Sequence, residues 1–149
     1  MPQSSDEAGL LSEMRTLLEK GASVVVARAG VIVAQASGRG IGPLLSLYEA
    51  NRLAGACVCD KVIGRAAAAI CVAGGARAVF ATLMSAGAAA FLQANGVSAT
   101  AERIVPQIAN RTRMGICPME CAVKGLDAPA EMVAAIRTKL QELRQGERG

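Results

Sequence analysis

Residues 56–84, ACVCDKVIGRAAAAICVAGGARAVFATLM, determine the class of fold. The short apolar run Ala56–Cys59 predicts a strand, and the alanine-rich run Val62–Ala73 predicts a helix that ends at a Gly-Gly turn. The apolar run Ala78–Met84 predicts a second strand. Because a strand, a helix and a further strand in succession form a parallel unit, this stretch predicts an α/β fold.

The flanking segments extend this unit in both directions. Upstream, apolar residues at helical spacing predict a helix over residues 6–20, and two valine-rich runs around Arg28-Ala29-Gly30 predict a β-hairpin. A helical stretch, Leu44–Leu53, connects the hairpin to the parallel unit. Downstream, the pattern predicts a helix over Gly87–Asn95 and a last strand within Ala101–Val105. We therefore expect a three-layer α/β/α fold with a mixed sheet of about five strands.

Length and composition indicate a single domain. The chain has 149 residues, of which 52% are hydrophobic and 19% charged, with a formal charge of +4. A chain of this length can bury a sizeable core without staples or metal. We predict one domain over residues 1–149, with a core of about 6–125, a C-terminal amphipathic helix of about 129–144 and a polar tail over 145–149. The sequence leaves the oligomeric state open, a homo-oligomer included.

Composition also excludes several classes of protein. The chain contains no histidine, which excludes Ser-His-Asp hydrolysis, HExxH metalloproteases and any histidine general base. Aromatic residues make up 2% of the chain, which argues against a base-stacking platform for nucleic acid. The odd number of cysteines, five, and a polar N-terminal segment predict reduced thiols in the cytoplasm. Residues 66–92 are apolar, but Arg77 and a glycine pair interrupt them, so we predict no membrane span.

Polar residues and glycines cluster after the predicted strands, where ligands bind in open α/β sheets. The glycine-dense loop Ser37–Pro43 can present backbone N–H groups to an anion. Asp60 has the position of an N-cap, and Lys61 and Arg65 then fall in the first helical turn, where cations oppose the helix dipole unless an anion binds. Solvated side chains are the alternative interpretation of both cations. The ligand-binding candidates at this edge are Ser37, Gly38, Gly40, Ile41, Asp60, Lys61, Gly64, Arg65, Ser85, Asn110 and Arg111.

Cys117 is the candidate nucleophile. Proline follows it and Glu120 lies three residues on, so the segment is typical of a helix start with a capping box. A helix N-terminus flanked by Arg111 and Arg113 favours a thiolate, although a simple helix cap explains the same residues. The four thiols of Cys57, Cys59, Cys117 and Cys121 have no CxxC spacing, so we predict no metal and no cofactor.

Several of these motifs, taken in order, resemble a prokaryotic family known as domain of unknown function 1893. They are Ser37-Gly38-x-Gly40-Ile41, Asp60-Lys61-x-Ile63-Gly64, Asn110-Arg111 and Cys117-Pro118-x-Glu120, and the resemblance runs from about Leu10 to about Lys124. It implies a fold similar to that of cytidine deaminases, whose order of elements matches the one predicted above.

The resemblance also implies what is missing. Zinc deaminases carry His-x-Glu at the start of the second helix and Pro-Cys-x-x-Cys at the start of the third. Here those places hold Gly40-Ile41-Gly42-Pro43 and Asp60-Lys61-Val62-Ile63-Gly64. The resemblance therefore implies that this chain is not a zinc-dependent cytidine deaminase, and analogy of fold favours a nucleotide-like ligand.

Three functions follow as hypotheses. The first is a domain that binds a nucleotide or a related phosphate-bearing metabolite. The second is an enzyme at the same pocket, with Cys117 as nucleophile or Lys61 as base, and Asp60 or Glu120 transferring protons. The third is a regulatory or scaffold module without catalysis.

Overall fold

The computed structural model describes residues 5–38, 40–108 and 118–148. Within these ranges the chain forms helices and strands in alternation after an initial hairpin. They are α1 (Ser5–Glu19), β1 (Val24–Arg28), β2 (Val31–Ala36), α2 (Gly42–Glu49), β3 (Cys57–Ile63), α3 (Arg65–Ala73), β4 (Ala78–Ser85), α4 (Ala86–Ala94), β5 (Ser98–Val105), α5 (Pro118–Ala122) and α6 (Pro129–Arg148).

The strands form one mixed sheet in the order β2-β1-β3-β4-β5. β1 pairs antiparallel with both β2 and β3, whereas β3, β4 and β5 are parallel. The expected α/β fold with a mixed sheet of five strands is confirmed. Since β1 runs against β3, Val24 at the start of β1 pairs with Asp60 near the carboxyl end of β3. This pairing brings the residue before β1 to the edge where β3 ends.

Helices cover the two faces of the sheet unequally. Of the described helices, α1 packs on one face, with Met14 and Leu18 against Val25, Ala27 and Cys59. The other face carries the larger core, to which α2, α3, α4, α5 and α6 contribute. Burial of this apolar surface is the main source of stability. The arrangement is that of helix, sheet and helix layers.

The boundary between β3 and α3 differs from the sequence prediction. We expected a strand that ends at Cys59 and a helix that begins at Val62, but β3 continues to Ile63 and α3 begins at Arg65. Val62 and Ile63 are β-branched, and they pair in register with Leu83 and Met84 of β4, so sheet pairing outweighs local helix propensity.

This boundary between β3 and α3 changes the roles of two residues. The N-cap of α3 is Gly64 rather than Asp60, and Lys61 lies on the strand rather than in the first helical turn.

The C-terminal helix also exceeds its expected length. α6 continues to Arg148, through residues expected to form a polar tail. Three residues of α6, Met132, Val133 and Ile136, are buried in the same core as α3. The core therefore extends into this helix, beyond the range of about 6–125. Among the described helices, none combines the length and the apolar character that a membrane crossing requires.

Candidate functional site

A cavity of about 410 Å³ opens at the carboxyl end of β3, and we call it the Asp60 cavity. Its size lies within the range of roughly 300–1,000 Å³ that is typical of small-molecule sites. Its described lining residues are Ser23, Gly38, Gly40, Ile41, Leu44, Asp60, Lys61, Val62, Gly64, Ala66, Ala67, Ile108, Met119 and Glu120. The fold thus brings together candidates from three separate segments of the sequence.

Ser23 fixes the glycine loop at one side of this cavity. Its hydroxyl Oγ donates to the carbonyl oxygen of Gly38 at 2.7 Å and accepts from the Gly38 N–H at 3.1 Å. Gly38 has a φ of +146°, and a Cβ there would lie 3.1 Å from Cγ of Pro43, so glycine is required by both conformation and space. Ser23 has no local signal in the sequence that marks it as a cavity residue. It reaches the cavity through the antiparallel pairing of β1 with β3, which is a long-range feature.

Asp60 is one of two acidic residues among the described residues that line the cavity, and it is half-buried. Its Oδ1 accepts a hydrogen bond from the N–H of Val62 at 3.2 Å. Burial raises the pKa of the Asp60 carboxyl to about 7, against the opposing effects of the Val62 and Lys61 amides and the Lys61 charge. A carboxyl group with a pKa near 7 can both take up and release a proton at neutral pH.

Lys61 lies beside Asp60 and is exposed. Its ammonium group is the cationic side chain among the described residues that line the Asp60 cavity. Because Lys61 belongs to β3 and not to a helix, the helix-dipole argument for its role does not apply. Its position on the cavity wall remains compatible with a contact to a bound anion.

Glu120 caps the start of α3. Its Oε1 accepts from the N–H of Arg65 and its Oε2 accepts from the N–H of Ala66, each at 2.7 Å. These amides are among the N–H groups that a helix start leaves without partners, and α3 has no acidic residue in its own first turn. The capping box expected within the Cys117–Glu120 segment depends on Cys117, which lies outside the described residues, so it stays a prediction. The contacts described for the Glu120 carboxylate join residues 54 and 55 positions away.

Gly64 provides the space for this contact. A Cβ at position 64 would lie 2.7 Å from Cδ and Oε1 of Glu120 and 2.9 Å from its Oε2. Gly64 has a φ of −95°, which any residue can adopt. The requirement for glycine here comes from the carboxylate of Glu120 and not from backbone conformation.

Arg65 holds the segment between α5 and α6 against α3. Its guanidinium donates to the carbonyl of Val123 at 3.0 Å and to that of Leu126, and it pairs with Asp127 at 2.7 Å. The same group lies 5.3 Å from the ring centroid of Phe91. These contacts give the Arg65 side chain a structural role, and Arg65 is not among the lining residues of the Asp60 cavity.

A second cavity, of about 290 Å³, lies beside the first, and we call it the Ser85 cavity. Its described lining residues are Arg65, Ser85, Gly87, Pro106, Gln107, Ile108, Glu120, Cys121, Lys124 and Gly125. Ser85 is buried and its Oγ accepts from the N–H of Ala88, so it caps α4. Ile108 and Glu120 line both cavities and form a wall that the two cavities share. Arg65 and Ser85 line the Ser85 cavity, on the other side of this wall from Asp60.

The remaining candidates divide into two groups. Ser37 is exposed and does not line the Asp60 cavity. Asn110, Arg111 and Cys117 lie outside the described residues, so their predicted roles stay predictions.

Four cysteines lie in the described ranges. Cys57 is half-buried, Cys59 and Cys71 are buried, and Cys121 is exposed. Burial, and to a smaller extent the charge of Asp60, raises the pKa of the Cys59 thiol to about 11. Within residues 5–38, 40–108 and 118–148, no three Cys, Asp or Glu side chains lie together as a set of metal ligands.

These features define an α/β protein with a mixed five-stranded sheet and a cavity at the carboxyl edge of its parallel strands. A family model described as Domain of unknown function (DUF1893) matches residues 13–140, and the chain belongs to that family.

The fold is similar to the crystal structure of a DUF1893 family protein, TM1506, from Thermotoga maritima. The two chains are 23% identical with a TM-score of 0.79, and the match covers 87% of this chain and 88% of that one. No curated protein matches the chain. The implied likeness to cytidine deaminases stays a prediction.

Proposed function

We propose that the Asp60 cavity binds a nucleotide or a closely related metabolite that carries an anionic group. The observation that supports this proposal is the meeting of Asp60, Lys61 and the Gly38 loop around one cavity of about 410 Å³. The cavity lies at the carboxyl end of a parallel strand, which is the usual place of ligands in α/β sheets. The proposal is about binding, and it does not depend on catalysis.

The lining of the cavity suits a planar ring with polar ends. Ile41, Leu44, Val62, Ile108 and Met119 supply apolar surface that can cover the faces of a ring. The carboxyl of Asp60 and the ammonium of Lys61 supply a small number of polar groups that can fix its orientation. This combination of apolar walls and few polar groups is characteristic of small-molecule sites.

The anionic group of the ligand is assigned to Lys61 and the neighbouring glycine loop. The first amides of α3 already bind the carboxylate of Glu120, and the Arg65 guanidinium binds carbonyls and Asp127. Lys61 is exposed, and no such contact engages its ammonium group among the described ion pairs. A phosphate near it would gain a charge-assisted hydrogen bond.

The test is the melting temperature of the protein with a panel of nucleoside mono- and diphosphates. A ligand that binds only the folded state raises the melting temperature by mass action. Lys61→Met should weaken binding of the best ligand by about tenfold or more, because a hydrogen bond to a charged group contributes about 1.5–3 kcal/mol. Lys20→Met, at an exposed lysine after α1, is the matched control and should bind as the wild type does. A melting temperature that no member of the panel changes would contradict the proposal.

A second candidate function is proton-transfer catalysis at the same cavity. The observation that favours it is the half-buried Asp60 carboxyl, whose pKa of about 7 suits a general acid or base. If this function holds, the ligand identified above is converted to a product that mass spectrometry detects. Asp60→Asn should then abolish conversion while the ligand still raises the melting temperature.

A further inference from the structure

The polar side chains of the Asp60 cavity are mostly hydrogen-bond acceptors. Among the described lining residues, only Ser23, Asp60, Lys61 and Glu120 have polar side chains with strong hydrogen-bonding groups. The Ser23 hydroxyl already donates to one backbone group of Gly38 and accepts from another. Among the described lining side chains, the two carboxyls of Asp60 and Glu120 and the ammonium of Lys61 are therefore the charged groups that can contact a ligand.

Both carboxyls keep accepting capacity. Asp60 accepts backbone hydrogen bonds from the amides of Val62 and Lys61, and each Glu120 oxygen accepts one backbone hydrogen bond. A carboxylate has about four acceptor positions on its two oxygens, so Glu120, and Asp60 in its ionised form, can accept further N–H donors. A ligand carbonyl or phosphate oxygen at the same place would meet another acceptor and lose its own hydrogen bonds to water.

Glu120 closes the α3 end of the cavity to anions. It lies on the Arg65 and Ala66 amides, at the place where a helix start would otherwise attract a phosphate. The missing Cβ of Gly64 makes room for this carboxylate. Negative charge is thus fixed at one end of the cavity, and Lys61 is the cationic residue among its described lining residues.

We infer that the cavity selects a ring whose edge donates several N–H groups, with Asp60 and Glu120 as the residues that determine this specificity. This inference rests on the proposed function and adds the chemistry of the ring to it. The ring edge that fits this site best carries an amino group next to a ring N–H, because two parallel N–H groups can bond to the two oxygens of one carboxylate. A ring that lacks the amino group leaves a partly buried carboxylate without its partner, and such a loss discriminates strongly between ligands.

The experiment compares matched ligands by isothermal titration calorimetry. Guanosine and inosine 5′-monophosphates differ only by the 2-amino group, and adenosine and purine riboside 5′-monophosphates differ only by the 6-amino group. We expect the amino member of at least one pair to bind about tenfold more tightly or better, as expected for one hydrogen bond to a charged group. Equal affinity within both pairs, or tighter binding of the members without the amino group, would overturn the inference.

Variants connect this preference to the two carboxyls. Asp60→Asn and Glu120→Gln should each reduce the ratio of affinities within the preferred pair by about fivefold or more. Glu142→Gln, at an exposed residue of α6 paired with Lys139, should leave the ratio unchanged. If Glu120→Gln does not fold, Asp60→Asn decides the outcome, and an unchanged ratio in that variant would refute the inference.

The outcomes separate the inference from the proposed function. If all four monophosphates bind with the same affinity, the proposed function stands and the inference fails. If none of them, and no member of the wider panel, binds, both fail together.

Discussion

Replacing Gly64 with alanine tests the contact between Glu120 and α3. The new Cβ would lie 2.7 Å from Cδ and Oε1 of Glu120, closer than real Cβ contacts allow, so the carboxylate must move. Its displacement lengthens and weakens the hydrogen bonds to the Arg65 and Ala66 amides, which measure 2.7 Å each. Neither amide has another partner within α3, because both belong to the first helical turn.

The magnitude follows from these two bonds. A hydrogen bond to a charged group contributes about 1.5–3 kcal/mol, and water that enters the cavity recovers part of this. Replacing glycine with alanine also stabilises the protein by about 0.4–1 kcal/mol, because alanine restricts the unfolded chain. This gain applies here because alanine can adopt the φ of −95° at this position. We expect a net loss of about 2 kcal/mol in the free energy of unfolding, or about 4–8 °C in melting temperature for a domain of this size.

The assay is urea unfolding of the wild type, of Gly64→Ala and of a matched control, Gly87→Ala. A Cβ at Gly87 of α4 meets only Cδ of Arg65, at an ordinary 3.8 Å, so this helical substitution should be neutral or stabilising by up to about 1 kcal/mol. Glu120→Gln should also lower the free energy of unfolding. The double variant Gly64→Ala/Glu120→Gln should lose less stability than the sum of the two single losses, because both substitutions affect the same contact. If Gly64→Ala is as stable as Gly87→Ala, or if the two effects add in full, the assignment of Glu120 as the cap of α3 is wrong.

Two further predictions concern titratable groups. The pKa of Asp60 lies at about 7 in the folded protein against an ordinary value of 3.8, so the folded state binds an extra proton between these values and loses stability as pH rises from about 4 to 7. Asp60→Asn should therefore be more stable than the wild type at pH 8, by about 1–3 kcal/mol, with no such gain at pH 4, and equal gains at both pH values in urea unfolding would contradict this. Among the four described cysteines, iodoacetamide should label the exposed Cys121 faster than Cys59 and Cys71, because burial raises the pKa of both of the latter thiols. Site-resolved mass spectrometry measures these rates, and labelling of Cys71 before Cys121 would show that the protein opens more readily than its core indicates.

Much of the architecture was predictable because its signals are local. Alternating apolar runs and helical periods in residues 56–95 predicted the parallel units, and the valine runs around Arg28-Ala29-Gly30 predicted the hairpin. The residues of the Asp60 cavity were predictable in part, since the ends of parallel strands meet at one edge. Asp60, Lys61 and Gly64 were found in this way.

The errors arose where long-range contacts outweigh local preference. Lys61-Val62-Ile63 fits a helix start or a strand, and only the register with β4 decides for the strand. Glu120 has the spacing of a local cap, which does not predict the two partners that the structure describes for it, the amides of Arg65 and Ala66. No pattern within a few residues of Glu120 contains that information, because the partners come together only in the folded chain.

The link between α3 and the segment after β5 has a consequence for the order in which the protein is made. Glu120 is synthesised 54 and 55 residues after the amides that it caps, and the carbonyl and carboxylate partners of Arg65 follow 58 to 62 residues after it. A nascent chain that has completed β4 can pair its parallel strands while the first turn of α3 is still uncapped. The wall shared by the two cavities is then among the later parts to form on the ribosome, so a stalled or truncated chain would carry much of the sheet without a complete Asp60 cavity.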